Sequence, residues 1–148
     1  MLFGLDTHIV CYLLDPGFAE HEQVSHLARS LTSQNTLALN PTVIHEAYHT
    51  LVYDVELVRQ DARTRLTSLI RLPYVDFFNQ TKSTSLLAMN LADKYELGGR
   101  DSLMLASYLG NDVYGVYTHD LDLVKIGQID WRGRTMKISD PILGPKHK

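Results

Sequence analysis

Residues 1–14 read MLFGLDTHIVCYLL, which places a short strand directly before a helix. Leu2 to Leu5 is an apolar run of strand length, and a second apolar run, Ile9 to Leu14, follows it after a polar break. The break holds Asp6 and Thr7, two residue types that are favoured where helices begin. The chain therefore opens on a strand–helix unit with a carboxylate at the junction.

The same alternation of strand and helix continues along the chain and predicts an α/β fold with a mostly parallel sheet. Asn40-Pro41-Thr42 marks one later helix start, and the longer helices are expected over Val55 to Ile70 and Ser83 to Leu97. No repeat or linker divides the sequence, so residues 1–148 are expected to form a single domain. The predicted strands are Leu2 to Leu5, Thr36 to Leu39, Val75 to Phe78, Val113 to Tyr117 and Thr135 to Ile138.

Composition excludes several classes of protein. With 148 residues, 45% of them hydrophobic, and a net charge of -3, the chain is long enough and apolar enough to fold around one core. A single cysteine, Cys11, excludes an internal disulfide framework and fits a reducing, cytoplasmic setting. The opening residues resemble neither a signal peptide nor a membrane span, so no membrane association is expected. A net negative charge also argues against nucleic-acid binding through bulk charge alone.

Four acidic residues are expected at the edge of the sheet where ligands bind. In parallel α/β sheets this is the edge at the carboxyl ends of the strands. Asp6 and Asp120 directly follow predicted strands, Glu46 lies in the first turns of a helix, and Asp101 opens a late helix. Carboxylates this close repel one another unless a hard divalent cation neutralises them. The arrangement therefore predicts bound Mg²⁺ or Mn²⁺.

Other polar residues would support this site. The hydroxyls of Thr7 and Thr118 would orient carboxylates or hold a metal-bound water, and Asp122 would be an outer ligand. A purely structural interpretation is open for Asp6 and Asp101, because aspartate also caps helices. Glu46 is harder to explain in that way, because it follows the expected cap Asn40 and lies on a partly buried helix.

The chain contains four short motifs in order, Leu5-Asp6-Thr7, PTVIHE at 41–46, RDSLMLA at 100–106 and THDLDL at 118–123. Together they resemble those of PIN domains, in particular the short VapC-type toxins, which are metal-dependent ribonucleases. The resemblance implies a three-layer fold with a mostly parallel central sheet flanked by helices. It also implies that the four acidic residues typical of the family's active site are Asp6, Glu46, Asp101 and Asp120. Thr118 would be the hydroxyl residue typical of the family, and Asp122 an additional acid.

The function implied by the resemblance is metal-assisted hydrolysis of RNA phosphodiester bonds. Metal coordination lowers the pKa of water, so no histidine or lysine general base would be required. Implied partners are an RNA substrate and an antitoxin protein, and a homodimer is a further expectation. Side chains that would help to bind RNA are Arg100, Arg132, Arg134 and Lys137.

Two alternatives remain open at this stage. His45-Glu46-Ala47-Tyr48-His49 is a literal HExxH motif, which in zinc metallopeptidases supplies two histidine ligands and a glutamate base. It lacks a recognisable third ligand and leaves Asp6, Asp101 and Asp120 unexplained. The second alternative is a non-catalytic binding module in which the acids are only helix caps.

Overall fold

The computed structural model describes residues 1–142, and residues 143–148, which the single-domain prediction includes, lie outside this part of the chain. Within it, six strands alternate with seven α-helices. The strands are β1 (Leu2–Leu5), β2 (Thr36–Leu39), β3 (Val75–Phe77), β4 (Gly115–Tyr117), β5 (Gln128–Trp131) and β6 (Arg134–Ser139). The helices are α1 (Thr7–Leu14), α2 (His21–Arg29), α3 (Pro41–His49), α4 (Arg59–Ile70), α5 (Lys82–Tyr95), α6 (Gly99–Gly110) and α7 (Leu121–Ile126).

The six strands form one sheet in the order β3-β2-β1-β4-β6-β5. All neighbouring pairs are parallel except β5 and β6. The predicted α/β fold with a mostly parallel sheet flanked by helices is therefore confirmed. Leu5 pairs with Tyr117, so β1 and β4 end side by side at the centre of the sheet. The residues that follow these strands consequently emerge at one edge.

Tyr108 of α6 fixes that helix against the centre of the sheet. Its side chain is fully buried, and its hydroxyl lies 2.6 Å from the carbonyl oxygen of Leu5 and 3.1 Å from that of Ala38. The ring takes the space beside Gly4, where an added Cβ would approach it to 2.6 Å. Gly4 is thus required for the close approach of helix and sheet. Cys11 is buried as well, and burial raises the pKa of its thiol to about 12, as suits a core residue.

The helix predicted over Val55 to Ile70 begins later than expected. A π-helical segment, Thr50–Asp54, extends α3, and α4 starts only at Arg59. Between them Glu56 takes a left-handed conformation with φ of 65°. That conformation breaks the helix, and neither glycine nor asparagine marks it in the sequence.

Strand β5 was not predicted, although β6 was. The two strands form a hairpin in which Trp131 pairs with Arg134, leaving Arg132 and Gly133 as a two-residue turn. The φ angles of these turn residues are 48° and 84°, as in the mirror-image turns that fit the twist of hairpins. Trp131 packs against the edge of the core. In residues 1–142, no helix has the length and apolar character needed to cross a membrane.

Candidate active site

Asp6 lies at the centre of the edge formed by the carboxyl ends of the strands. Its side chain is only 8% exposed. Oδ1 accepts a hydrogen bond from the backbone N–H of Thr7, and Oδ2 accepts one from the Thr118 hydroxyl, both at 2.7 Å. The backbone N–H of Asp6 donates to the carbonyl of Tyr117 at 3.0 Å, which ties the residue to the end of β4. Asp6 is therefore held by two neighbouring strands.

Asp120 follows β4 and caps α7. Its backbone N–H donates to the Thr118 hydroxyl oxygen at 3.1 Å, and its Oδ1 accepts from the backbone N–H of Asp122 at 2.9 Å. The Thr118 hydroxyl thus contacts both Asp6 and the backbone of Asp120. Asp122 itself is exposed.

Glu46 reaches the same edge from α3. Asn40 caps this helix by accepting from the backbone N–H of Val43 at 3.1 Å, and Glu46 is the sixth helical residue. One carboxylate oxygen of Glu46 lies 3.3 Å from the Thr7 hydroxyl, and the other lies 2.7 Å from Nη1 of Arg100. Thr7 consequently bonds to Asp6 through its backbone and to Glu46 through its side chain.

Asp101 is the third residue of α6, and the pKa of its carboxyl group is affected by the charges of the other three acids. Burial is the main factor that raises the pKa of its carboxyl group, and neighbouring negative charges add to this effect. Burial likewise raises the pKa of Asp6, while hydrogen bonds from Thr118 and Thr7 oppose the increase. The charges acting on Asp101 are those of Asp6, Asp120 and Glu46, which raise its pKa, and that of Arg100, which lowers it.

The oxygen ligands at this edge fit a hard divalent cation. Four carboxylates would supply these ligands, and they repel one another when no cation is bound. In residues 1–142, however, no three acidic, histidine or cysteine side chains stand close enough to hold a metal ion as they are placed. Both oxygens of Asp6 and both of Glu46 already contact donors of the chain itself. Cation binding would require side-chain rearrangement.

The family model of the PIN domain matches residues 4–129 of this chain. The chain belongs to the PIN-domain family. No curated protein sequence matches it. The matched region ends within β5, so strand β6 and Asp140 lie beyond it.

Solved structures share the fold of this PIN domain at low sequence identity. A structure of VapC20 from Mycobacterium tuberculosis, a sarcin–ricin-loop-cleaving toxin, has a TM-score of 0.68 and 18% identity, covering 89% of this chain and 98% of that one. A toxin–antitoxin complex from Klebsiella pneumoniae has a TM-score of 0.64 and 16% identity, covering 93% and 96%. VapBC2 from Rickettsia felis, bound to a DNA fragment from its promoter, has a TM-score of 0.62 and 15% identity, covering 85% and 93%.

The HExxH motif does not form a zinc site in the described part of this PIN domain. His45 and His49 are both exposed on α3, and the ring of His49 lies 4.7 Å from that of Tyr53. Glu46 faces Arg100 rather than a histidine-lined site. Among residues 1–142 no third ligand joins the two imidazoles.

The four basic residues predicted to bind RNA lie in different places. Arg100 reaches the carboxylates, and Lys137 lies exposed in the middle of β6. Arg134 begins β6, and Arg132 lies in the turn before it, so both lie at the edge opposite the carboxylates. Arg134 also lies 3.8 Å from Asp112. From these positions, Arg132 and Arg134 do not reach a phosphate bound at the carboxylates.

Asp140 is a residue that the sequence analysis did not single out as part of the site. Its buried carboxylate lies 2.7 Å from Nδ1 of His119 and accepts from the backbone N–H of Ile142 at 2.8 Å. His119 is therefore partly buried and paired with Asp140. Asp140 directly follows β6 at the carboxylate edge, so the strand-end argument that selected Asp6 and Asp120 applies to it equally.

Proposed function

We propose that this PIN domain is a ribonuclease dependent on Mg²⁺ or Mn²⁺ and that it is the toxin of a toxin–antitoxin pair. The observation that carries the proposal is the set of hydrogen bonds and electrostatic interactions that connects carboxylates from four elements at one edge of the sheet. Thr118 and Thr7 link Asp6 to its neighbours, and the negative charges of the edge act together on Asp101. Carboxylates in such a cluster are suited to divalent cations and phosphodiester hydrolysis.

The residues of the chain take distinct parts in this proposal. Asp6 is buried and held at both oxygens, so it supplies the most rigid ligand. Thr118 orients Asp6 and the start of α7, and Asp101, Glu46 and Asp120 complete the acidic set. A bound divalent cation would neutralise these carboxylates and activate water for attack on phosphorus. Arg100 places a positive charge where an RNA phosphate would approach.

RNA as substrate and an antitoxin as partner are supported by the family and by its solved relatives. The Mycobacterium tuberculosis toxin of the same fold cleaves the sarcin–ricin loop, and the Klebsiella pneumoniae structure is a toxin–antitoxin complex. We carry both properties to this chain, together with a cytoplasmic location. A homodimer stays a prediction, which gel filtration with light scattering would test.

Thermal melting of the metal-stripped protein tests the metal site first. A ligand that binds only the folded state raises the melting temperature. We expect Mn²⁺ or Mg²⁺ to stabilise the wild type and to have little effect on Asp101→Asn. Asp93→Asn, which removes an exposed carboxylate from α5, is the matched control and should keep the full response.

The same experiment separates the alternatives. Stabilisation by Zn²⁺ that His49→Ala abolishes would favour a metallopeptidase, and the absence of any response to metal would favour a non-catalytic module. Cleavage of a labelled single-stranded RNA is then measured with Mn²⁺ present. Cleavage by wild type and by Asp93→Asn, together with its loss in Asp101→Asn, is the expected result. An intact RNA after incubation with metal-loaded wild type would contradict the proposal.

A further inference from the structure

Arg100 forms a short ion pair with Glu46 at the carboxylate edge. Its Nη1 lies 2.7 Å from Oε2 of Glu46, while its own side chain remains 79% exposed. It is the second residue of α6 and directly precedes Asp101 in the chain. A single flexible guanidinium therefore occupies one oxygen of a carboxylate that the metal site would need.

The donors around the carboxylates differ in how easily they can leave. Thr118 and Thr7 are buried at 0% and 7% exposure, and their hydrogen bonds fix Asp6 between two strands. Displacing either would disrupt the end of the sheet. The Arg100 ion pair, in contrast, is open to solvent, and exposed ion pairs contribute little to stability. Arg100 is thus the donor whose departure costs least.

We propose that Arg100 is a displaceable cation, which occupies Glu46 while the site holds no metal and is released to bind an RNA phosphate when a divalent ion takes Glu46. This inference rests on the proposed function. After release, the guanidinium remains tethered to the first turn of α6 beside Asp101. Its planar donors suit bidentate contact with a phosphate. Metal binding and RNA binding are thereby coupled through one side chain.

The exchange predicts effects of opposite sign on the two ligands. Loss of the guanidinium removes a competitor for Glu46, so the metal should bind more tightly. It also removes a phosphate contact, so RNA should bind more weakly. A residue that merely stabilises the fold would not move the two affinities in opposite directions.

The test uses Arg100→Gln and Arg100→Lys in the full chain. Thermal melting over an Mn²⁺ titration without RNA gives the metal affinity, and the KM for a labelled single-stranded RNA at saturating Mn²⁺ gives the second readout. In Arg100→Gln we expect the apparent dissociation constant for Mn²⁺ to fall roughly two- to five-fold and KM to rise several-fold. Arg100→Lys should lie between this variant and wild type in both readouts. Arg63→Gln, the same change of charge on α4, should resemble wild type.

The outcomes separate this inference from the proposed function. If wild type binds Mn²⁺ and Arg100→Gln binds it equally or more weakly, the exchange is overturned while the metal site stands. An unchanged KM in Arg100→Gln would overturn the phosphate contact. If wild type shows no Mn²⁺ binding, both the proposed metal site and the exchange are wrong.

Discussion

The hydroxyl of Thr118, at the end of β4, donates a hydrogen bond of 2.7 Å to Oδ2 of Asp6, at the end of β1. Both side chains are buried, and the two strands are neighbours in the sheet. The same hydroxyl oxygen accepts the backbone N–H of Asp120. One threonine therefore positions two acids relative to each other.

Replacing Thr118 with valine should weaken both the fold and the site. Valine keeps the shape of threonine but removes the hydrogen bond to the buried carboxylate of Asp6. Leaving a buried charged group without a donor costs on the order of 1–3 kcal/mol of unfolding free energy. Urea unfolding in the presence of a chelator measures this loss, and an Mn²⁺ titration should show reduced stabilisation.

Thr42→Val provides the control for that experiment, because the Thr42 hydroxyl also pairs with a side chain, that of Gln80, but away from the carboxylates. We expect a smaller loss of stability in this variant and no change in its response to Mn²⁺. Equal losses in the two valine variants would argue against a special role of Thr118.

Asp101→Asn should stabilise the metal-free protein at neutral pH. In the folded chain, burial and then the neighbouring negative charges raise the pKa of Asp101 above its usual value of 3.8. An acid with a raised pKa in the folded state binds more protons folded than unfolded. Stability therefore falls as the pH rises from the unfolded pKa through the folded one, and the cost persists above it. Asparagine removes this cost, which is on the order of 0.5 kcal/mol after allowance for solvent screening.

The measurement is the difference in unfolding free energy between Asp101→Asn and wild type, taken with a chelator from about pH 3 to pH 8. The advantage of the variant should be absent at the acidic end, grow as the carboxylates ionise and then level off. A difference that is independent of pH, or one that favours wild type at neutral pH, would contradict the electrostatic account of the site.

Sequence reasoning found the acids of this edge because the carboxyl ends of parallel strands meet in space, whatever their separation in the chain. The rule did not select Asp140, because the last predicted strand ended at Ile138, whereas β6 ends at Ser139, directly before Asp140. Sequence reasoning misplaced the start of α4 because the left-handed residue is Glu56, a type that does not signal a break. The contact between Arg100 and Glu46 was not predicted either, because the two residues are 54 positions apart in sequence and their contact depends on side-chain packing.

Tyr108→Phe should destabilise the fold without abolishing the response to metal. The hydroxyl bonds to the carbonyl of Leu5, the residue before Asp6, and lies near that of Ala38. Its removal leaves the buried carbonyl oxygen of Leu5 without this donor, at a cost of about 1–2 kcal/mol in unfolding free energy. Chemical denaturation measures the loss, and Tyr114→Phe, at a partly exposed tyrosine, is the control. A loss no greater than that of the control would show that the hydroxyl does not support the end of β1.

Arg132→Asn should leave RNA cleavage unchanged and slightly stabilise the protein. Arg132 occupies a left-handed position in the hairpin turn, with φ of 48°, where asparagine is much better tolerated than arginine. The loss of its contact with the Trp131 ring, 5.5 Å from the guanidinium carbon, offsets part of the gain. We expect a net increase of about 0.5 kcal/mol in unfolding free energy.

Arg132→Ala is the matched variant, because it loses the same ring contact without gaining asparagine's tolerance of the turn, and it should be less stable than wild type. Both variants should cleave RNA at the wild-type rate, since the hairpin turn lies at the edge of the sheet opposite Asp6 and Asp120. Slower cleavage in both, at unchanged metal affinity, would instead mean that RNA extends across the sheet to the hairpin. The position of Arg132 would then mark the far end of the substrate's path.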